Sequence, residues 1–177
     1  MAFHSNTANI VQVQRTFKGS RYATNSTSFT DITGLNCSIT PKFANAKIIV
    51  TCTMGACGTE ANNLDNGPAL RTLRNVAGGG YSLGSGLNGD SDGSRERFTM
   101  RGTSWSYNHD HMPGGLGFTL VDDPSYSVGQ TLNYKIQVMC QDSNVPFRLN
   151  GNGLNANNGA IHQGRSCSTL VLQEIAQ

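Results

Sequence analysis

The clearest alternation of apolar and polar residues runs over positions 132–141. Leu132, Tyr134, Ile136, Val138 and Cys140 fall on one side, and Asn133, Lys135, Gln137 and Gln141 on the other. Successive side chains of a strand point to opposite faces, so a period of two predicts a strand with one face buried. Shorter stretches repeat the pattern, and none shows the 3.6-residue period of a helix. Gly, Asn, Ser and Asp crowd the segments between. These residues favour turns because they tolerate positive φ or bond their own backbone. The chain is therefore expected to be all-β.

The strands can be placed along the chain. Residues 10–15 form a short one. Residues 28–32 lead into a turn at Thr33-Gly34, after which Leu35, Cys37 and Ile39 alternate with Asn36, Ser38 and Thr40. Pro41 ends that run, because it lacks the N–H a ladder needs. Ile48, Val50, Cys52 and Met54 share a face, and residues 70–74 and 98–105 are further candidates. Leu116, Phe118 and Leu120 alternate before a turn at Asp122-Asp123-Pro124. Val145, Phe147 and Leu149 follow, and residues 168–175 close the chain. About nine or ten strands separated by turn signals predict an antiparallel two-sheet sandwich of jelly-roll type. The 177 residues fit one domain with a short lead-in at residues 1–9. Long loops are expected at residues 55–67, 77–94, 106–115 and 150–164. Loops of that length in a small domain are functional or held by a neighbour.

Composition narrows the function classes. Charged residues are 14% of the chain and the net charge is +2, with no basic run, so nothing favours a nucleic-acid partner. The first residues lack the basic and apolar regions of a signal peptide, and no apolar run is long enough for a membrane helix. The five cysteines are odd in number and form no C-x-x-C pair. Cys37, Cys52 and Cys140 continue apolar faces, so buried reduced thiols are expected, as in a protein folded in a reducing cytoplasm.

Motifs that could carry chemistry fail on context. Gly80-Tyr81-Ser82-Leu83-Gly84 matches the nucleophile elbow, but Gly84-Ser85-Gly86-Leu87-Asn88-Gly89 follows where a helix is required. The overlapping match to a dinucleotide fingerprint has no βαβ unit around it. Asp90-Ser91-Asp92-Gly93 opens like a calcium loop but lacks the later ligands, and reads as a solvated turn. Asp122-Asp123 also reads as a turn, not a glycosidase pair. His109 and His111, two apart, would share a strand face and reach one metal ion, with His4 or His162 as a distant third ligand. Trp105 and Tyr107 lie just upstream. Trp105, Tyr107, His109 and His111 together suit a contact loop. No cofactor is expected.

The order of segments resembles a known group. Phe29-Thr30-Asp31-Ile32-Thr33-Gly34-Leu35 runs to Ser38-Ile39-Thr40-Pro41. Ala46-Lys47-Ile48-Ile49-Val50 and Ala69-Leu70-Arg71-Thr72-Leu73-Arg74 follow, and Ser168-Thr169-Leu170-Val171-Leu172-Gln173-Glu174-Ile175 ends the series. This resembles the small jelly-roll virion-surface and fibre-head modules of tailed bacteriophages and some large DNA viruses. The resemblance implies a non-enzymatic structural protein of the virion, a homotrimer on the particle surface. It implies contacts with the major capsid protein or with tail and fibre proteins. The Gly-rich stretch 78–93 and the 105–111 loop depart from the pattern.

The residues add their own argument for assembly. Leu170 and Leu172 fall on one side of the last strand, Val171 and Ile175 on the other. A strand apolar on both sides is covered on both sides, so these four are candidates for core or subunit interface. The absence of a heptad or shaft repeat leans toward a capsid decoration or cement protein. The alternatives are a fibre tip or adhesin contacting a host-surface glycan or protein and, more remotely, a cupin-type metal enzyme. The cupin pattern needs a Glu soon after H-x-H, where this chain has Met112-Pro113-Gly114-Gly115.

Overall fold

The structure, a computed structural model, describes residues 9–60, 66–102, 104–105, 114–151 and 164–176. In chain order the strands are β1 (Asn9–Lys18), β2 (Tyr22–Thr24), β3 (Thr30–Ile39), β4 (Lys47–Met54), β5 (Cys57–Glu60), β6 (Ala69–Val76), β7 (Met100–Arg101), β8 (Ser104–Trp105), β9 (Leu116–Asp122), β10 (Leu132–Met139), β11 (Phe147–Leu149) and β12 (Ser168–Ala176). One sheet runs β1-β12-β4-β9 and a second β3-β10-β6-β7. Alternation becomes burial where these two face each other. Leu132, Tyr134, Ile136 and Val138 of β10 meet Val50 and Cys52 of β4 and Leu170 and Leu172 of β12 in one core. The fold is an all-β sandwich.

Three features differ from expectation. A third small sheet, β2-β11-β5-β8, accompanies the two large ones, and its β5–β8 pair is parallel. β2 and β5 carry no clear alternation, and β5 falls inside the expected 55–67 loop. Residues 28–39 do not make two strands around a turn. They make one strand, β3, with a wide bulge. Its pairing with β10 jumps from Asn36↔Lys135 to Asp31↔Gln137, so Ile32, Thr33, Gly34 and Leu35 oppose Ile136 alone. Gly34 takes φ 85°, which a glycine adopts at no steric cost. Finally, Asp122 is not a turn residue. It ends β9 with its side chain fully buried.

Buried polar groups tie the layers together. Arg74 of β6 donates through Nη1 to both carboxylate oxygens of Asp122, at 2.6 and 2.7 Å. The Tyr134 hydroxyl, on β10, donates to Oδ2 at 2.7 Å. Burial, then the Asp122 charge, pushes the Tyr134 pKa far up, so its proton stays in place to donate. Glu174, also fully buried, accepts from the backbone N–H groups of Lys42 and Phe43 at 2.9 and 3.0 Å and from Gln12 Nε2 at 2.5 Å. It holds the β3–β4 turn against β12. Asn150 works at the β11 end. Its Nδ2 donates to the Lys18 carbonyl at 2.8 Å, and its Oδ1 accepts from the Ser168 hydroxyl at 2.7 Å.

The Gly-rich stretch is pinned to this frame. Arg74 and Ser82 exchange backbone hydrogen bonds at 3.0 and 2.8 Å. Asn88 donates through Nδ2 to the Thr72 carbonyl at 2.7 Å, and Leu87 enters the core. A Cβ at Gly84 would come within 2.9 Å of Leu87 and 3.3 Å of Arg74 Nη1, so glycine there makes room beside the ion pair.

Removing one partner of a buried pair leaves an uncompensated charge. Arg74→Met should therefore lower the unfolding free energy by about 3–5 kcal/mol. Tyr134→Phe removes one hydrogen bond to a charged group and should cost about 1.5–3 kcal/mol. Urea unfolding at one protein concentration measures both. A loss below about 1 kcal/mol for Arg74→Met would show that Asp122 finds other compensation.

Candidate functional site

The two large sheets turn very different outer faces to their surroundings. On the β1-β12-β4-β9 sheet, pairing registers line up Val13, Gln173, Ile49 and Val121 in one row. Arg15, Val171, Thr51 and Thr119 form the next, and Phe17, Thr169, Thr53 and Gly117 a third. Ile10, Ile175 and Lys47 lie at the other end. Ile10, Val13, Phe17 and Val121 are each more than half exposed, from 53% to 59%. Ile49, Val171 and Ile175 are half-buried between them. Arg15 is the one charge inside these rows, while Lys47 at the border pairs with Asp123 at 3.8 Å.

Gln173, Arg15 and four threonines take half of the twelve positions in the three rows, so the apolar part of this face is Val13, Phe17, Ile49, Val121 and Val171, with Ile10 and Ile175 beyond them. Soluble monomers seldom expose contiguous apolar patches much above a few hundred Å² without a use for them. Phe43 and Val128, 49% and 56% exposed, add a second apolar patch. They sit on neighbouring turns joined by the Tyr126 hydroxyl, which donates to the Phe43 carbonyl at 2.7 Å.

The outer face of the other sheet is a polar network. Asp31 accepts from Lys135 Nζ at 2.9 Å and from Gln137 Nε2 at 2.6 Å. Gln137 Oε1 accepts from Arg71 Nε at 2.7 Å, and the Arg71 guanidinium lies 3.9 Å from the centre of the Phe29 ring. Lys135 Nζ lies 4.1 Å from the centre of the Tyr81 ring. Partial burial raises the Asp31 carboxyl, but hydrogen bonds from Lys135 and Gln137 and the charges of Lys135 and Arg71 outweigh it and hold the pKa below 3.8. This face has its charges matched and is suited to water.

The structure describes some of the sequence candidates and not others. Leu170 and Leu172 are fully buried in the core, whereas Val171 and Ile175 look outward from the same strand. Trp105 contributes backbone to β8, opposite Glu60 of β5. Tyr107, His109 and His111 lie outside the described residues, as do His4 and His162. Among the described residues no three His, Cys, Asp or Glu side chains are placed to hold a metal. Ser82 pairs with Arg74 through its backbone rather than sitting on a strand-to-helix elbow. Asp92 pairs with Arg95 at 2.6 Å, an exposed turn contact. No helix among the described residues is long and apolar enough to cross a membrane.

All five cysteines are free. Cys37, Cys52, Cys57 and Cys140 are buried and Cys167 is exposed. Burial pushes Cys52 up to about 12 and raises Cys57 further, with the neighbouring Cys52 adding to it. Such thiols carry almost no thiolate at neutral pH. Asp31, Tyr81 and Lys135 come together from three separate segments, so no local pattern marks them as a group. Compared with known proteins, the chain matches no family profile and no curated protein.

Two outcomes follow for solution work. A thiol reagent at neutral pH should modify Cys167 in the native protein and all five cysteines after unfolding. Rapid native modification of Cys52 or Cys57 would mean the core opens readily. The depressed Asp31 pKa implies that its contacts stabilise the fold above about 3.8 and are lost as pH falls through the lower folded value. Asp31→Asn should therefore lose less stability than the wild type between neutral pH and about pH 2, as read by urea midpoints.

Proposed function

We propose that this protein works by assembly rather than catalysis, as a homotrimeric jelly roll on the surface of a virion. The observation that carries the proposal is the outer face of the β1-β12-β4-β9 sheet, where Ile10, Val13, Phe17 and Val121 are each more than half exposed among threonines and a single charge. A second copy is the economical cover for such a face. In a closed threefold ring each subunit offers two different patches. The sheet face and the Phe43–Val128 turns are two such patches on this chain.

The strand orders β1-β12-β4-β9 and β3-β10-β6-β7 support the jelly-roll reading, since they are those of two four-stranded sheets linked by repeated crossing between them. The resemblance of the TGL–ITP, KIIV and terminal S-x-L-x-L-x-E-I segments to phage surface modules supports the virion setting. Capsid decoration, in contact with the major capsid protein, is the preferred position. Attachment to the tail as a fibre tip is the alternative.

Light scattering should give three times the chain mass of 18.9 kDa at micromolar concentration. Val13→Glu combined with Val171→Asp should give a folded monomer, because charge on the outer face removes the contact without entering the core. A stable wild-type monomer would overturn the assembly reading. Mass spectrometry of purified particles tests the position: a fixed ratio to the major capsid protein supports decoration, and recovery with isolated tails supports the fibre tip.

A further inference from the structure

Two groups of exposed apolar side chains each hold one charge, and the charges are opposite in sign. On β1, Ile10, Val13 and Phe17 are more than half exposed, and Arg15 stands between Val13 and Phe17 on the same face. On the turns, Phe43 and Val128 are exposed, and Asp123 shares the turn between β9 and β10 with Val128. We infer, on the footing of the assembly proposed above, that copies meet head to tail, with the Asp123 turn of one copy seated on β1 of the next and Asp123 paired with Arg15.

Both charges are available for a partner. Arg15 is exposed and makes no ion pair or hydrogen bond among the described residues. The Asp123 side chain is 71% exposed, and Lys47 Nζ stands 3.8 Å from it, too far for a hydrogen bond. Its oxygens therefore keep their acceptor positions for a guanidinium, which meets a carboxylate as a two-pronged fork. Within one chain the two cannot meet. Arg15 lies on β1 and Asp123 follows β9, the opposite edges of one sheet. Three strand spacings of about 4.8 Å hold them roughly 14 Å apart. A second copy brings them together, and contact between two different patches is what closes a ring. Covering β1 also requires an acid, because an arginine enclosed by apolar side chains without one is an unpaired buried charge. Other acids are committed elsewhere. Asp31 and Asp92 pair with Lys135 and Arg95, and Asp122 and Glu174 are fully buried.

Charge reversal tests the pairing. Sedimentation velocity over a concentration series reads the assembly of the wild type, Arg15→Glu, Asp123→Arg and the double variant. Each single reversal should raise the concentration needed for assembly at least about tenfold. The double variant should return close to the wild type, a rescue that a misfolded chain cannot give. Asp90→Arg reverses an exposed acid on the Gly-rich stretch and should leave assembly as it is. A cycle of Arg15→Gln and Asp123→Asn gives a second reading without new repulsion: the double should cost little more than either single. A wild-type monomer would overturn the assembly and this pairing with it. An oligomer whose single reversals assemble as well as the wild type, or whose double variant stays as weak as the singles, would overturn the pairing alone. Equal weakening by Asp90→Arg, or a wild-type dimer packed face to face, would also overturn the pairing alone.

Discussion

The contact between Asp122, Arg74 and Tyr134 sets the terms for the rest of the sandwich. Asp122 comes from the β1-β12-β4-β9 sheet, and its two partners are opposite one another on β6 and β10 of the other sheet. A carboxylate with no exposure is tolerable only with a charge and hydrogen bonds at short range. That requirement fixes how the two sheets lie over each other at this end. Apolar packing alone is less directional. The same arginine pairs its backbone with Ser82, and a side chain at Gly84 would meet Leu87 first and the Arg74 guanidinium next, so the Gly-rich stretch is held close beside the ion pair.

Once the inner faces are matched in this way, the outer faces are free to diverge. One exposes Ile10, Val13, Phe17 and Val121 among threonines and a single charge, and the other carries a hydrogen-bonded polar network. The difference runs along single strands. In β12, Leu170 and Leu172 complete the core while Val171 and Ile175 complete an outward surface. In β10, Tyr134 and Ile136 point inward while Lys135 and Gln137 point out to Asp31. A strand period of two lets one segment serve two purposes. The face with the exposed Ile, Val and Phe side chains is where another molecule would gain most from covering this one.

The legibility of these features follows from their range. β10 and β4 were plain in the sequence because their alternation is local and reports a buried face directly. The two-sided character of β12 was equally readable. Short strands such as Tyr22–Thr24 and Cys57–Glu60 offer too few residues for a period to register, and their pairing depends on β11, far along the chain. Asp122 was misread because Asp-Asp-Pro is a strong turn signal, while Arg74 lies 48 positions away. Glu174 looked like an ordinary polar position on the last strand, yet it clamps backbone groups 131 and 132 positions upstream. The Thr33-Gly34 signal was real but resolved into a bulge, because β10 continues past it and keeps β3 in the sheet. Long-range partners of polar residues leave no local trace.

If a second copy covers the outer face of the β1-β12-β4-β9 sheet, as proposed, that face is shielded in the assembled protein. Thr51 sits near the middle of that face, between Val171 and Thr119. A Thr51→Cys substitution in a Cys167→Ser background places one accessible thiol there. Its rate of maleimide labelling, measured across a dilution series, reads the face directly. A face buried between copies should be protected at high protein concentration and label faster on dilution as the copies separate. Fast labelling at the same rate at every concentration would contradict it.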